Sequence, residues 1–110
     1  MAIHARTSEA LDHALQRGHG LSLTEFEVLQ RLAESLDGHR RMQELAGEIH
    51  LSPSALSRLI GRLERTGLVE RDICEEDRRG IYACLTEAGR DAQRRAEPTH
   101  REVLVANLGA

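Results

Sequence analysis

Lysine and tryptophan are absent from this 110-residue chain, and phenylalanine and tyrosine occur once each, at Phe26 and Tyr82. A surface so poor in rings offers neither a base-stacking platform for single strands nor an aromatic cage for a cationic ligand, because both depend on π-faces. The core must be aliphatic. The two cysteines, Cys74 and Cys84, supply neither a disulfide framework nor a C-x-x-C zinc set, and a reducing compartment fits them. No apolar run reaches the roughly 18 to 20 residues that cross a bilayer, and residues 1–10 lack the apolar centre of a secretory signal, so a cytoplasmic chain with no membrane partner is expected. His4, His13, His19, His39, His50 and His100 are dispersed, without the spacing of metal ligands. There is no G-x-S-x-G elbow, no glycine-rich phosphate loop and no H-E-x-x-H. No enzyme, catalytic residue, cofactor or metal is therefore expected.

What is present suits one domain: 40% hydrophobic residues, 30% charged, and a length that supports a single core. The net charge of −3 hides an uneven layout. Residues 1–50 carry 5 Arg against 8 acids, whereas residues 51–110 carry 10 against 10. Every basic side chain is arginine, whose planar fork matches phosphate and guanine edges; a GC-rich genome would give the same preference without any role.

Periodicity divides the chain into short, well-punctuated elements. Leu11, Ala14 and Leu15 recur at helical spacing within residues 3–17, and Gly18 and Gly20 close that helix. Thr24 reads as the cap of a second helix, with Glu25 and Glu27 in its first turn, a stripe of Val28, Leu29 and Leu32, and an end near Asp37-Gly38. Met42, Leu45, Ala46 and Ile49 mark a third helix over residues 42–49. Ser52-Pro53 opens a fourth with a capping hydroxyl and a proline where no intrahelical bond is lost, and Gly67 stops it. Two β-type runs, residues 68–73 and 80–85, flank a charged turn and read as a hairpin; a turn centred near Asp77 places Cys84 opposite Glu70. Thr86 begins a fifth helix that Pro98 is expected to break near Glu97, with a last helical piece over residues 99–108. The fold class is mainly α with a small antiparallel β-hairpin, in the order of a winged helix-turn-helix.

Around the helix that begins at Ser52, Leu56, Leu59, Ile60 and Leu63 share one face and must point inward. Ser54, Arg58 and Arg65 lie opposite, Ser57 and Arg62 on the flanks, and Glu64 is the only acid. Small groups first and arginines after suit a helix that approaches a major-groove floor, while an ordinary solvated face would look the same. The candidate major-groove residues are Ser52, Pro53, Ser54, Ser57, Arg58 and Arg62. In the hairpin turn, Arg78 and Arg79 suit a minor groove, whose narrow width concentrates negative potential, and Asp77 is placed to brace one of them.

The ordered set Leu21-Ser22-Leu23-Thr24-Glu25-Phe26, Met42-Gln43-Glu44-Leu45-Ala46, Leu51-Ser52-Pro53-Ser54-Ala55-Leu56, Gly67-Leu68-Val69, Asp77-Arg78-Arg79 and Leu85-Thr86-Glu87-Ala88-Gly89 resembles the MarR family of bacterial winged-helix transcriptional regulators. The resemblance implies a homodimer on double-stranded DNA at a pseudo-palindromic operator, repressing transcription and releasing DNA when a small-molecule effector binds. It implies a dimerisation helix over residues 1–20, a DNA-binding domain over 21–90 and C-terminal dimerisation helices over 91–110, shorter than the family's. Histidine, arginine and acidic groups near the helix junctions would suit an anion, but the sequence does not identify the effector. A winged helix that binds protein rather than DNA is the alternative, as is a redox- or metal-responsive variant; Cys74 and Cys84 lie away from the N-terminal region where the family's sensing cysteine sits.

Overall fold

The protein is described here by a computed structural model covering residues 2–73 and 80–108. Five helices and three strands follow in the order α1 (Ala2–His19), α2 (Leu23–Glu34), β1 (His39–Arg41), α3 (Met42–Glu48), α4 (Pro53–Arg65), β2 (Val69–Ile73), β3 (Ile81–Leu85) and α5 (Glu87–Leu108). None of these helices is long and apolar enough to cross a membrane.

The cap of α2 is Ser22, not Thr24. The Ser22 hydroxyl accepts from the Glu25 amide at 3.0 Å while the Glu25 carboxylate accepts from the Ser22 amide at 2.8 Å, so each satisfies an orphan donor of the other. Thr24 stands three residues before a glutamate as well, Glu27, so spacing does not choose between the two hydroxyls, and the reciprocal bonds form at Ser22. The Asp12 side chain accepts from the Leu23 amide at 2.8 Å and ties this corner to α1.

The largest difference from expectation is a third strand. The α2 helix stops at Glu34, and Gly38 takes a positive φ of 72° and accepts from the Leu85 amide at 2.8 Å. The next three residues then pair antiparallel with β3, His39 to Cys84, Arg40 to Ala83 and Arg41 to Tyr82. The sheet order is β1-β3-β2, and β2 pairs with β3 from Val69–Leu85 to Ile73–Ile81. His39-Arg40-Arg41 has no apolar alternation, so only its neighbour reveals it as a strand. The expected Glu70–Cys84 pairing is present.

Pro98 lies inside α5, which runs unbroken through it. Proline removes one intrahelical donor, yet contacts on both sides hold the axis. Ala96 is fully buried, Thr99 shares a 2.8 Å hydrogen bond with His19 of α1, and the His100 ring stacks on Phe26 at 4.7 Å between centroids.

The core gathers Leu15, Phe26, Leu29, Leu32, Leu45, Leu56, Ile60 and Val69, all nearly inaccessible to water, from α1 through β2. The wing base is locked at two points. Gly67 follows α4 with φ 77°, and the Leu68 amide reaches back to the Leu63 carbonyl at 2.9 Å. The Thr86 hydroxyl then donates to the Gly67 carbonyl at 2.7 Å and accepts from the Gly89 amide at 3.0 Å. A Cβ on Gly89 would lie 2.1 Å from the Leu68 carbonyl oxygen, so no other residue fits there without moving backbone.

Candidate nucleic-acid interface

The turn between α3 and α4 fixes how the fourth helix is presented. After Ile49, the chain passes through His50 at φ 56°, the left-handed region that usually takes glycine. Its amide and that of Leu51 reach back to the carbonyls of Gly47 and Ala46 at 3.4 and 2.9 Å, which satisfies the end of α3. Ser52 then caps α4 as expected, accepting from the Ala55 amide at 3.2 Å, with Pro53 in the first turn.

The inward face of α4 is Leu56, Leu59, Ile60 and Leu63, as the periodicity predicts. Ser52, Pro53, Ser54, Arg58 and Arg62 are exposed, and Ser57 is half-buried. Arg58 and Arg62, one turn apart, form no ion pair with a described residue, and they edge a cleft of about 260 Å³ shared with Ser22 and Thr24 at the start of α2. The structure thus leaves five of the six helix candidates exposed, while Ser57 lies half-buried on the side of α4 that meets β2. Asp77, Arg78, Arg79 and Cys74 lie outside the described residues, so the wing-tip expectation has no structural counterpart here.

Two features escaped the sequence reading. First, β1 carries paired cations. The Arg40 guanidinium grips the Glu48 carboxylate at the end of α3 with both arms, one of them Nε to Oε1 at 3.0 Å. That hydrogen bond holds the Glu48 carboxyl below its ordinary range. Arg41 lies over the Tyr82 ring, 5.7 Å from its centroid, and donates to the phenol oxygen at 3.1 Å. Second, Arg71 of β2 reaches across to α4, where it meets Glu64 and the Ser57 carbonyl. The pairing depends on two segments meeting in space, and no local pattern announces it.

A polar cavity of about 470 Å³ opens between α2, the end of α3 and α5. Its wall includes Glu27, Arg31, Glu34, Glu48, His50 and His100, three carboxylates against one guanidinium. Burial against Phe26 lowers the His100 pKa from its ordinary 6.5, with the Glu27 and Glu97 carboxylates opposing the shift. On β3, burial and then the nearby Asp72 and Glu70 push the Cys84 thiol upward, which keeps it protonated and slow to oxidise. Among the described residues, no group of three or more His, Cys, Asp or Glu is placed to hold a metal ion.

A capped helix presented by a tight turn after a shorter helix, followed by a strand pair and buttressed by a third strand, defines the winged helix-turn-helix class. The MarR family profile matches residues 21–81, and the chain belongs to that family. It is similar to AbsC, a MarR family transcriptional regulator from Streptomyces coelicolor, with a TM-score of 0.91 and 36% identity over 96% of this chain and 71% of that one. A second Streptomyces coelicolor MarR family regulator, crystallised in complex with DNA, superposes with a TM-score of 0.92 at 35% identity, over 96% of this chain and 66% of that one. The HTH-type transcriptional regulator YkoM of Bacillus subtilis, itself uncharacterized, is 30% identical over 91 residues, which are 81% of this chain and 58% of YkoM. The chain spans about half the length of the curated relatives it matches.

Proposed function

We propose that this chain binds double-stranded DNA sequence-specifically as a transcriptional regulator, with α4 in the major groove. The observation that carries this is the pair Arg58 and Arg62, exposed and without an ion-pair partner among the described residues, on the side of α4 opposite a sealed apolar face. Ser52, Pro53, Ser54 and Ser57 let the backbone approach base edges, and Arg58 and Arg62 read bases or grip phosphates. Asp77, Arg78 and Arg79 serve the adjacent minor groove. The likeness to a regulator crystallised on DNA supports the same docking face.

Residues 21–90 form the DNA-binding unit in this reading, and residues 1–20 with 91–110 form a dimerisation region. Its support is Val105 and Leu108, whose side chains stand 63% and 66% exposed at the end of α5. A homodimer with two copies of α4 matches a pseudo-palindromic operator, and by covering promoter DNA in the cytoplasm it represses transcription. The polar cavity beside His100 is the effector site in this reading.

Selection from a random duplex library with the purified chain tests the reading. Enrichment of an inverted repeat, with affinity falling steeply as salt rises, is the expected result. Arg58→Ala and Arg62→Ala should each cost about 1–3 kcal/mol on the selected duplex. Salt-independent association, or no loss in either variant, would make the fold a protein-binding module instead.

A further inference from the structure

Arg71 of β2 reaches onto α4. It sits in the middle of β2, paired across the ladder with Ala83. Its Nε donates to Glu64 Oε1 at 2.9 Å, and its Nη2 donates to the Ser57 carbonyl oxygen at 2.5 Å. Both side chains of the ion pair are only about one-third exposed, at 32% and 37%. Ser57, Gly61 and Glu64 fall at i, i+4 and i+7, so one stripe of α4 faces the strand. Gly61 supplies the room: a Cβ there would lie 3.7 Å from Arg71 Nη2, in ordinary contact, and a longer side chain would take the guanidinium's place.

We propose that Arg71 is a positioning residue for DNA recognition, a clamp that sets the angle between the wing strand β2 and the reading helix α4. This rests on the DNA-binding reading above. One planar fork holds two points of α4 seven residues apart, roughly 10 Å along the axis, and thereby fixes both the tilt and the rotation of the strand against the helix. Buried Val69 anchors the start of β2 and the ladder with β3 runs on to Ile73–Ile81, while Arg71, in the middle of the strand, ties it to α4 itself. The clamp also explains the single acid of α4. A carboxylate on a DNA-facing helix repels phosphate, and Glu64 is neutralised in place by Arg71. The major-groove helix and the wing meet one duplex at a set separation only if this angle is held before binding.

Two charge-conserving variants test it. Arg71→Lys keeps the charge and loses the fork; Glu64→Asp keeps the charge and shortens the reach. Each should weaken binding of the selected duplex about tenfold, the worth of one charge-assisted bond. The double variant should be no weaker than the worse single one, because both break the same link. The salt slope should stay unchanged, since neither group touches phosphate. In the free chain, hydrogen exchange at residues 70–73 should quicken in both variants while α4 keeps its protection.

The clamp is overturned if both variants bind within twofold of the parent. It is equally overturned if Glu64→Asp tightens binding and Arg71→Met lowers the salt slope by about 0.9, the mark of a direct phosphate contact. If the parent chain binds no duplex at all, the DNA-binding reading fails, and the exchange measurement still decides whether Arg71 holds β2 on α4.

Discussion

In α4 every large apolar side chain is no more than 4% exposed, whereas the last turns of α5 leave Val105 and Leu108 63% and 66% exposed. Both helices are amphipathic and both follow the same 3.6-residue rule. They differ in what lies against them. The apolar stripe of α4 meets Leu29, Leu32, Leu45 and Val69 in one closed core, and its polar face is left to solvent. At the end of α5, apolar groups themselves face solvent, and burying them would remove area worth about 25 cal/mol per Å² from water. The comparison separates a helix whose apolar side chains are all covered from one that leaves two of them in solvent.

Truncating the closed face should do the most damage. Leu56→Ala opens a cavity in a site 1% exposed, with an expected loss of about 2–5 kcal/mol in chemical denaturation and the loss of DNA binding with it. An unchanged midpoint would mean that the α4 face is less tightly packed than described.

Charging the open face should act differently. Val105→Asp together with Leu108→Asp is expected to leave secondary structure intact but convert a dimer to monomer in sedimentation. Affinity for a two-half-site duplex should fall by about a hundredfold or more, because the second half-site contact is no longer intramolecular. A dimer that survives both charges would place the subunit contact elsewhere and remove the contrast between the two helices.

A smaller effect is expected at the start of α4. Ser52→Ala removes the hydroxyl that accepts from the Ala55 amide and should cost about 1 kcal/mol, read as a lowered thermal midpoint, with partial rescue by Asp at the same position.

The smallest effect concerns pH and belongs to the α5 side. The folded state lowers the His100 pKa by burial, so the unfolded chain takes up a proton that the folded one resists. The contribution of this group is complete above its ordinary value of 6.5 and diminishes as pH falls through it toward the lower folded value. Thermal midpoints measured between pH 8 and pH 5 should fall less steeply in His100→Leu than in the parent. Equal slopes would mean that the Phe26 stack does not discriminate between the two protonation states.

Much of the α4 surface was legible in advance. Ser52-Pro53 states a helix start in local chemistry, and the spacing of Leu56, Leu59, Ile60 and Leu63 states which way that helix faces. The Glu70–Cys84 register followed from a hairpin whose strands are close in sequence. What escaped notice was non-local. β1 exists because β3, more than 40 residues away, offers its free edge, and His39-Arg40-Arg41 carries no sign of it. Ser22-Glu25 and Thr24-Glu27 share one capping spacing, so the local pattern does not decide which hydroxyl caps α2. Pro98 was read by its intrinsic cost, about 3 kcal/mol within a helix, without the contacts of Ala96, Thr99 and His100 that offset it.

The order of residues by itself determined the helices that bear strong periodicity, the Ser52 cap of α4 and the exposure of Arg58 and Arg62, since all of these depend on neighbours within two turns. Tertiary structure alone decided the third strand, the unbroken course of α5 and the hold of Arg71 on Glu64. Each of those requires groups far apart in the chain to arrive within a few ångströms, and one-dimensional patterns carry no record of such distances.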